Sequence, residues 1–148
     1  MKKSLKDILQ PLSDEEGNKV IAEFMGYEKV KIGYFGTDEE TDWMRKNKKW
    51  MDEVGLDNIG DFFVKIDGIK SRWFYCEDAK YHSSWDELIP VLQKIRTINY
   101  GKMVTEVPEM ETELNRRITE NLRMLDLKAT WLAVISYIVW YNQNLKGK

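Results

Sequence analysis

The feature that most constrains the fold is an uncharged run near the end of the chain, ATWLAVISYIVWY at 129–141. A membrane-spanning helix needs about 20 apolar residues, so this run is too short to cross a bilayer. On a helix over 127–145, capped by Asp126, its large apolar side chains cover almost the whole circumference. Such a helix must be covered on more than one side, so it is either central to the fold or shared with a second subunit.

The length of the chain and its lack of internal boundaries predict one domain. A chain of 148 residues has the common size of a single domain, and no repeat, Pro-rich linker or low-complexity segment divides it. We therefore predict a single domain over 1–148, with a short helix or arm at 1–12 and a polar tail at 143–148. No apolar run of signal-peptide length follows the basic start, so a cytoplasmic location is expected.

The first predicted helix has signals at both ends. Ser13 and Glu16 have the capping-box spacing, in which each side chain binds the other residue's backbone N–H. Apolar residues then recur at helical spacing, and Gly26 is placed to take up the left-handed conformation that ends a helix. These signals predict a helix over 14–25.

A second helix with a basic face follows the acidic cluster 38–42. Its apolar side is predicted to consist of Trp43, Met44, Asn47, Trp50, Met51 and Val54. Its opposite side consists of Arg45, Lys46, Lys48 and Lys49. Acidic residues favour a helix N-terminus, and Gly55 is expected to end this helix.

A second capping box, Ser84 with Glu87, predicts a helix over 85–98 that bends at Pro90. Its buried stripe is predicted to be Trp85, Leu88, Ile89, Leu92 and Ile95. The segment 111–125 is ambiguous, since its apolar spacing fits a helix and few other signals support one.

Alternating apolar residues predict strands at about 29–35, 61–66, 69–76 and 102–107. Asp67-Gly68 favours a two-residue type I′ hairpin turn, in which Ile66 faces Ile69, Val64 faces Ser71 and Phe62 faces Trp73 on the core side. We therefore expect an α+β fold, a layered α/β sandwich. In it, a small, mainly antiparallel sheet is packed by three or more helices, among them 14–25, 85–98 and 127–145.

The outer face of this hairpin is a candidate nucleic-acid surface. It should carry Phe63, Lys65, Lys70, Arg72 and Phe74 together, with Lys65 directly opposite Lys70. Aromatic rings among cations are typical of surfaces that bind single-stranded nucleic acids by stacking and charge. The alternative is an edge hairpin that lysines keep soluble. A net charge of −2 means that a nucleic-acid or membrane site must be a local patch. We expect no membrane partner, and a nucleic acid is less expected than a protein partner.

Motifs for catalysis or metal binding are weak in this sequence. One cysteine, Cys76, and one histidine, His82, cannot build a structural zinc site, and their short separation matches no familiar nucleophile–base arrangement. The acidic cluster 38–42 could hold a hard cation, but dipole partners of a helix start are the more common role of such residues. We expect no cofactor, and the sequence leans against an enzyme.

The surplus of apolar surface on the last helix indicates a protein interface, and Trp131, Ile135, Ile138 and Trp140 are the candidate residues. A homodimer or a different protein partner would cover them. The alternative is burial of the same residues within one chain.

Three segments resemble small uncharacterised proteins of bacteriophages and prophages, of the phage ABA-sandwich type. These segments are NKVIAEFMGY at 18–27, YHSSWDELIPVLQKI at 81–95 and ATWLAVISYIVWYN at 129–142. The resemblance implies an α/β sandwich in a mobile-element setting and carries no established activity or site. The chain departs from the pattern in its longer region between Tyr34 and Tyr75.

These observations favour a non-enzymatic phage or prophage accessory protein that acts by binding another protein. The alternative is a single-stranded nucleic-acid-binding module that uses the outer hairpin face.

Overall fold

The computed structural model of the chain describes residues 12–99 and 109–144. In these ranges it has six α-helices and one three-stranded antiparallel sheet, which confirms the predicted α+β class. The strand predicted at 102–107 lies outside the described residues. So do residues 1–11 of the predicted N-terminal helix or arm and residues 145–148 of the predicted tail.

The elements follow one another along the chain as helices and strands of unequal length. They are α1 (Asp14–Phe24), β1 (Glu28–Ile32), α2 (Asp42–Lys46), α3 (Lys48–Val54), β2 (Gly60–Lys65), β3 (Arg72–Tyr75), α4 (Trp85–Asn99), α5 (Glu109–Arg123) and α6 (Leu127–Asn144).

Contacts within the chain divide it into two compact units. We call Gly26–Ala79 the sheet unit, and Met1–Met25 together with Lys80–Lys148 the helical unit. The sheet unit is continuous in sequence, whereas the helical unit is built from two segments, one on each side of it. The single domain over 1–148 stays a prediction.

The sheet unit has its own apolar core on one face of the sheet. Its strands are hydrogen-bonded in the order β1-β2-β3. The buried core residues are Val30, Ile32, Met44, Met51, Leu56, Phe62 and Val64. Strand side chains alternate between the two faces, and Val30 and Ile32 of β1 reach this core, as the sequence predicts.

Strand β1 ends at Ile32, three residues before its predicted end. After it, the backbone N–H of Tyr34 donates to Glu39 Oε2 at 3.3 Å. At Gly33 an added Cβ would lie only 2.3 Å from the Cβ of Glu39. The chain therefore leaves the sheet to pack against its own following loop, and Tyr34 is 59% exposed.

The register of the hairpin differs from the predicted one. Phe62 pairs with Tyr75 and Val64 with Trp73, so residues 66–71 form the connection. The predicted pairs Ile66–Ile69, Val64–Ser71 and Phe62–Trp73 are therefore wrong. Because the true register is shifted by two residues, and the side-chain period of a strand is also two, each paired strand residue keeps its predicted face.

The longer connection has a local cause in its hydrogen bonds. Gly68, with a φ of 52°, begins a short 3₁₀ turn, and the N–H of Lys70 donates to the carbonyl of Asp67 at 2.8 Å. This turn replaces the predicted type I′ turn. It places Ile66 and Ile69 outside the core, with 49% and 102% of their surface exposed.

The helix with the basic face is broken into α2 and α3 at Asn47. Both the backbone N–H and the side-chain Nδ2 of Asn47 donate to the carbonyl of Trp43. Asparagine interrupts helices in this way because its amide competes for backbone partners. Met44 and Met51 are buried on the predicted side, and Gly55 ends α3 in the left-handed conformation, as predicted.

The helical unit begins with the predicted capping box. The hydroxyl of Ser13 accepts from the N–H of Glu16, and the Glu16 carboxylate accepts from the N–H of Ser13. Gly26 follows the helix with a φ of 95°. The sequence signals for both ends of α1 are therefore confirmed, although the helix itself ends at Phe24.

The buried stripe of α4 differs from the predicted one. Leu88, Val91 and Ile95 are its buried residues, whereas Ile89 is 43% exposed. Pro90 lies inside the helix as expected. The ambiguous segment forms α5, in which Leu114 and Ile118 are buried.

Helix α6 is the centre of the helical unit. It packs against α1, α4 and α5, and its buried residues point in almost all directions around its axis. The prediction that this helix is covered on more than one side is confirmed. Asp126 caps it, accepting the N–H of Ala129 at 3.0 Å.

Candidate functional site

The two aromatic rings of the predicted nucleic-acid surface pack within the sheet unit. Phe63 is only 2% exposed, and its ring centre lies 5.5 Å from that of Phe74. Phe74 is half-buried, and its ring meets that of Tyr27 edge-on at 5.1 Å. Stacking on nucleic-acid bases requires an open ring face, and Phe63 does not offer one.

The three cations of this surface lie at the loop end of the hairpin. Lys65 pairs across the strands with Arg72, so its predicted position opposite Lys70 is wrong, and Lys70 lies in the 3₁₀ turn. The Lys65 ammonium is 5.7 Å from the ring centre of Tyr27. This cation–π contact stabilises the charge and offsets part of the repulsion between Lys65 and Arg72. A nucleic-acid site on this face stays a prediction.

The four predicted interface residues of α6 are core residues of the helical unit. Trp131, Ile135, Ile138 and Trp140 are 1%, 0%, 0% and 7% exposed. Their apolar character is thus explained by burial within one chain, which is the alternative that the sequence leaves open. The homodimer stays a prediction, and a protein partner needs a different surface.

A buried amide connects the two segments of the helical unit. The indole N–H of Trp131 donates to Asn18 Oδ1 at 2.9 Å. Since an indole N–H can only donate, it orients the amide of Asn18 with the NH₂ group toward His82. Asn18 Nδ2 then donates to His82 Nδ1 at 2.8 Å. His82 thus acts through a long-range hydrogen bond, and this is the role of a structural histidine.

Charged residues cover the outer side of this connection. His82 Nε2 lies 3.7 Å from Asp14 Oδ2, and Lys128 Nζ lies 2.6 Å from Asp14 Oδ1. The hydrogen bond from Lys128 lowers the pKa of Asp14 below its usual value. The same ammonium lies 4.2 Å from the ring centre of Trp131. These contacts tie α1 to α6 at the surface.

The acidic cluster at 38–42 is engaged within the sheet unit. Arg45 donates to Glu40 at 2.7 Å and also to Asp42, and these hydrogen bonds lower the pKa of both carboxyl groups. Glu39 accepts the N–H of Tyr34. In the ranges 12–99 and 109–144, no group of three or more His, Cys, Asp and Glu side chains is arranged to hold a metal ion.

The strongest candidate site is an open groove of about 700 Å³ between α4 and α5. It is lined by Ile89, Leu92, Gln93, Ile95, Arg96, Asn115, Ile118, Thr119 and Leu122, of which five are apolar. Ile89 and Leu122 are 43% and 37% exposed. The groove therefore presents large aliphatic side chains to solvent.

Arg96 is the charged residue of this groove. It is exposed, and among the described residues it forms no ion pair. A guanidinium group presents its N–H donors as a flat fork that fits a carboxylate. The groove thus combines apolar walls with a donor suited to an acid.

The end of α5 continues the exposed apolar surface along the chain from Leu122. Met124 and Leu125 are 77% and 76% exposed. Leu125 has a φ of 56°, which costs a residue with a side chain about 1–2 kcal/mol. It occupies the position after a helix where glycine is usual, and the N–H of Asp126 reaches back to the carbonyl of Asn121. Leu125 thus combines a strained backbone with an exposed apolar side chain.

The groove is not among the sites predicted from the sequence, although one sequence signal indicates it. Helix α4 carries two apolar stripes, one with Leu88, Val91 and Ile95 and another with Ile89 and Leu92. A helix that packs on one side needs only one such stripe. The second stripe is more apolar surface than one packed face requires. It therefore predicts either that another element covers it or that it lines an exposed groove.

The fold and the groove define a small α+β protein with an exposed, mainly apolar groove on its helical unit. In the described ranges, no helix has the length and hydropathy needed to span a membrane. No family model matches the chain, and neither a curated protein nor a solved structure matches it. The resemblance to phage proteins therefore stays a prediction from the sequence.

Proposed function

We propose that the chain is a non-enzymatic protein-binding module that takes an amphipathic helix of a partner protein into the α4–α5 groove. The observation that carries the proposal is the combination of five apolar lining residues with one arginine that forms no ion pair among the described residues. A role as a phage or prophage accessory protein is compatible with this proposal and depends on the sequence resemblance alone.

The dimensions of the groove suit a short helix. Its lining on α4 extends from Ile89 to Arg96, which corresponds to about 10 Å of helix axis at 1.5 Å per residue. A partner helix of two to three turns would cover this length. Helices that bind in grooves use apolar residues at i, i+3 or i+4, and i+7, and such a stripe would bury the exposed faces of Ile89 and Leu122.

The charge of Arg96 selects the chemistry of the partner. Apolar contact with a bound helix would remove water from around the guanidinium, and a charge that loses its water needs a paired opposite charge. A Glu or Asp beside the apolar stripe of the partner would supply that charge and accept two N–H donors. The partner is therefore an amphipathic helix with an acidic residue at the edge of its apolar face.

Affinity selection from a library of helix-forming peptides tests this proposal. The intact chain is immobilised, and the selected peptides are measured again on Ile89→Lys, on Arg96→Glu and on the control Ile59→Lys, which changes an exposed isoleucine of the sheet unit. We expect acidic, amphipathic peptides that bind Ile89→Lys and Arg96→Glu at least about tenfold more weakly, with Ile59→Lys unchanged.

Two results would contradict the proposal. The first is a set of peptides that bind Ile89→Lys as tightly as the natural chain. The second is a dimer in light scattering that Ile89→Lys converts to a monomer, because the groove would then be occupied by a second copy of the chain.

A further inference from the structure

The loop of the β2–β3 hairpin exposes two isoleucines. Ile69 is fully exposed, at 102% of its reference surface, and Ile66 is 49% exposed. Turns are normally made of Gly, Pro, Asn, Asp and Ser, which suit the backbone and tolerate water. A single exposed apolar residue needs no explanation, but two large aliphatic side chains in one six-residue loop form a local apolar tip.

Hydrogen bonds hold this tip in one conformation. The N–H of Asp67 donates to Ser71 Oγ at 3.0 Å, and that hydroxyl donates to the carbonyl of Gly68 at 2.8 Å. The N–H of Lys70 closes the turn on Asp67. Because the loop is already ordered, binding through Ile69 requires little further loss of backbone entropy.

Cationic residues flank the tip. The cations at or next to the loop are Lys65, Lys70 and Arg72. The loop contains one carboxylate, that of Asp67. Glu28, whose Cα pairs with Val64, is the nearest acidic residue by register on the neighbouring strand. Lys70 and Arg72 are exposed, and within the described ranges neither forms an ion pair.

We propose that this hairpin tip is a contact site for an anionic membrane surface. Ile66 and Ile69 enter the boundary between the lipid headgroups and the acyl chains, and Lys70 and Arg72 contact the lipid phosphates. An anionic bilayer presents the complementary arrangement, an apolar layer beneath a layer of negative charge. This activity goes beyond the proposed function and uses a different unit of the chain.

The observations favour lipid over single-stranded nucleic acid at this tip. An aliphatic side chain cannot stack on a base. Of the two phenylalanines on this face, Phe63 is 2% exposed, and Phe74 is half-buried with its ring packed against Tyr27. Ile69 therefore gains nothing from a nucleic acid, whereas a membrane interface removes it from water. The cations could bind phosphate groups of either a lipid or a nucleic acid. The exposed isoleucines favour the lipid, because only a membrane offers them an apolar layer.

The expected affinity is weak and divides between the two kinds of residue. Each lysine or arginine near an anionic membrane surface strengthens binding by about fivefold. Transfer of an exposed isoleucine side chain from water contributes about tenfold or more. One loop of this size thus gives reversible binding that appears at high lipid concentration.

Co-sedimentation of the full chain with vesicles tests the proposal. The vesicles are phosphatidylcholine mixed with phosphatidylserine, compared with pure phosphatidylcholine, and the variants are Ile69→Ser, Lys70→Glu and the control Ile59→Ser. Ile59 is 47% exposed and precedes β2, at the end opposite the hairpin loop. All changed side chains are exposed, and circular dichroism verifies the fold of each variant.

We expect binding to the anionic vesicles alone. Ile69→Ser should weaken it about tenfold and Lys70→Glu about 25-fold, since that change removes one positive charge and adds a negative one. Ile59→Ser should bind as the natural chain does. The proposal is overturned by absent binding to anionic vesicles, by equal effects of Ile59→Ser and Ile69→Ser, or by full retention of binding in Ile69→Ser. Binding to single-stranded DNA but not to vesicles would also overturn it and assign the cations to nucleic acid.

Discussion

Gly17 is the position where one methyl group tests the packing of α1 on α6. A Cβ added there would lie 2.3 Å from Trp131 Cζ2 and 2.7 Å from Ile135 Cδ1, where carbon atoms normally stand about 3.5–4.0 Å apart. Trp131 and Ile135 are 1% and 0% exposed. The hydrogen bond from the indole to Asn18 further restricts the ring, so neither neighbour can yield without loss.

The expected effect of Gly17→Ala is the balance of three contributions. Alanine in place of glycine inside a helix favours folding by about 1 kcal/mol. Overpacking of a buried site costs about 1–3 kcal/mol, and a weakened hydrogen bond between Trp131 and Asn18 costs about 1 kcal/mol more. The clash therefore outweighs the helix propensity, and we expect the free energy of unfolding to fall by about 2 kcal/mol. For a chain of this size, the melting temperature should decrease by about 4–8 °C.

Urea unfolding followed by circular dichroism measures this change. Glu15→Ala, on the exposed side of the same helix, is the control and should alter stability by about 0.5 kcal/mol or less. In a Trp131→Phe background the smaller ring leaves room for the methyl group, so Gly17→Ala should cost at least about 1 kcal/mol less than in the natural chain. A clash at Gly17 is ruled out if Gly17→Ala stabilises the chain, or if its cost is the same in both backgrounds.

Three further perturbations test other contacts of the helical unit. Lys128→Met should raise the pKa of Asp14 toward its usual value, because the hydrogen bond from Lys128 is the main cause of its lowering. The contact stabilises the fold above the ordinary pKa of Asp14 and ceases to do so as the pH falls through the lowered value. NMR titration of the Asp14 carboxyl carbon measures this shift, and an unchanged titration would count against the contact. Burial, with the charge of Glu111 as a second cause, raises the pKa of Tyr137 well above its usual value. Tyr137 favours folding only in its neutral form. This contribution to the free energy of unfolding is fully present below the ordinary tyrosine pKa of about 10, and it is lost as the pH rises toward the raised pKa of the folded state. A titration of the ultraviolet absorption of tyrosine should show one ionisation at a higher pH than the others, and Tyr137→Phe should remove it. Ionisation of Tyr137 at the same pH as the exposed tyrosines would contradict this expectation. Leu125→Gly should raise the free energy of unfolding by up to about 1 kcal/mol, since it relieves the positive φ at the cost of a more flexible unfolded chain. A lower urea midpoint would show that Leu125 is not strained.

Local signals predict several of the helix ends. The capping box at Ser13 and Glu16, and the glycines that follow α1 and α3, act through hydrogen bonds and backbone angles within a few residues. Such features depend little on the rest of the fold, so the sequence is sufficient to find them. Asn47 also acts locally, through the competition of its side chain for the carbonyl of Trp43, but the predicted helix runs through it without a break.

The hairpin register shows the limit of this reasoning. Asp67-Gly68 has the composition of a type I′ turn, but the Ser71 hydroxyl is within reach of Gly68 and stabilises a longer loop. Periodicity cannot distinguish the two, because they assign the same faces to Phe62 and Trp73. The pattern therefore predicts which face is buried and leaves open which residues are opposite each other.

The candidate site depends on contacts that no local pattern contains. Ile89 lies on an apolar stripe that a sequence assigns to the core, and its exposure depends on how closely α5 approaches α4. In the same way, the pairing of Asn18 with His82 requires two segments that the whole sheet unit separates. Burial of an apolar stripe is predictable, but the choice between two stripes on one helix requires the tertiary structure.

The hydrogen bond between Asn18 and Trp131 spans 113 residues of chain, and this separation sets an order of events during synthesis. At about 5–20 residues per second, Asn18 is synthesised roughly 6–23 s before Trp131. The sheet unit is complete well before then, because it is continuous in sequence. The newborn chain therefore holds its first helix without its α6 contacts while the middle of the protein can already fold, and these contacts form only when the last helix emerges.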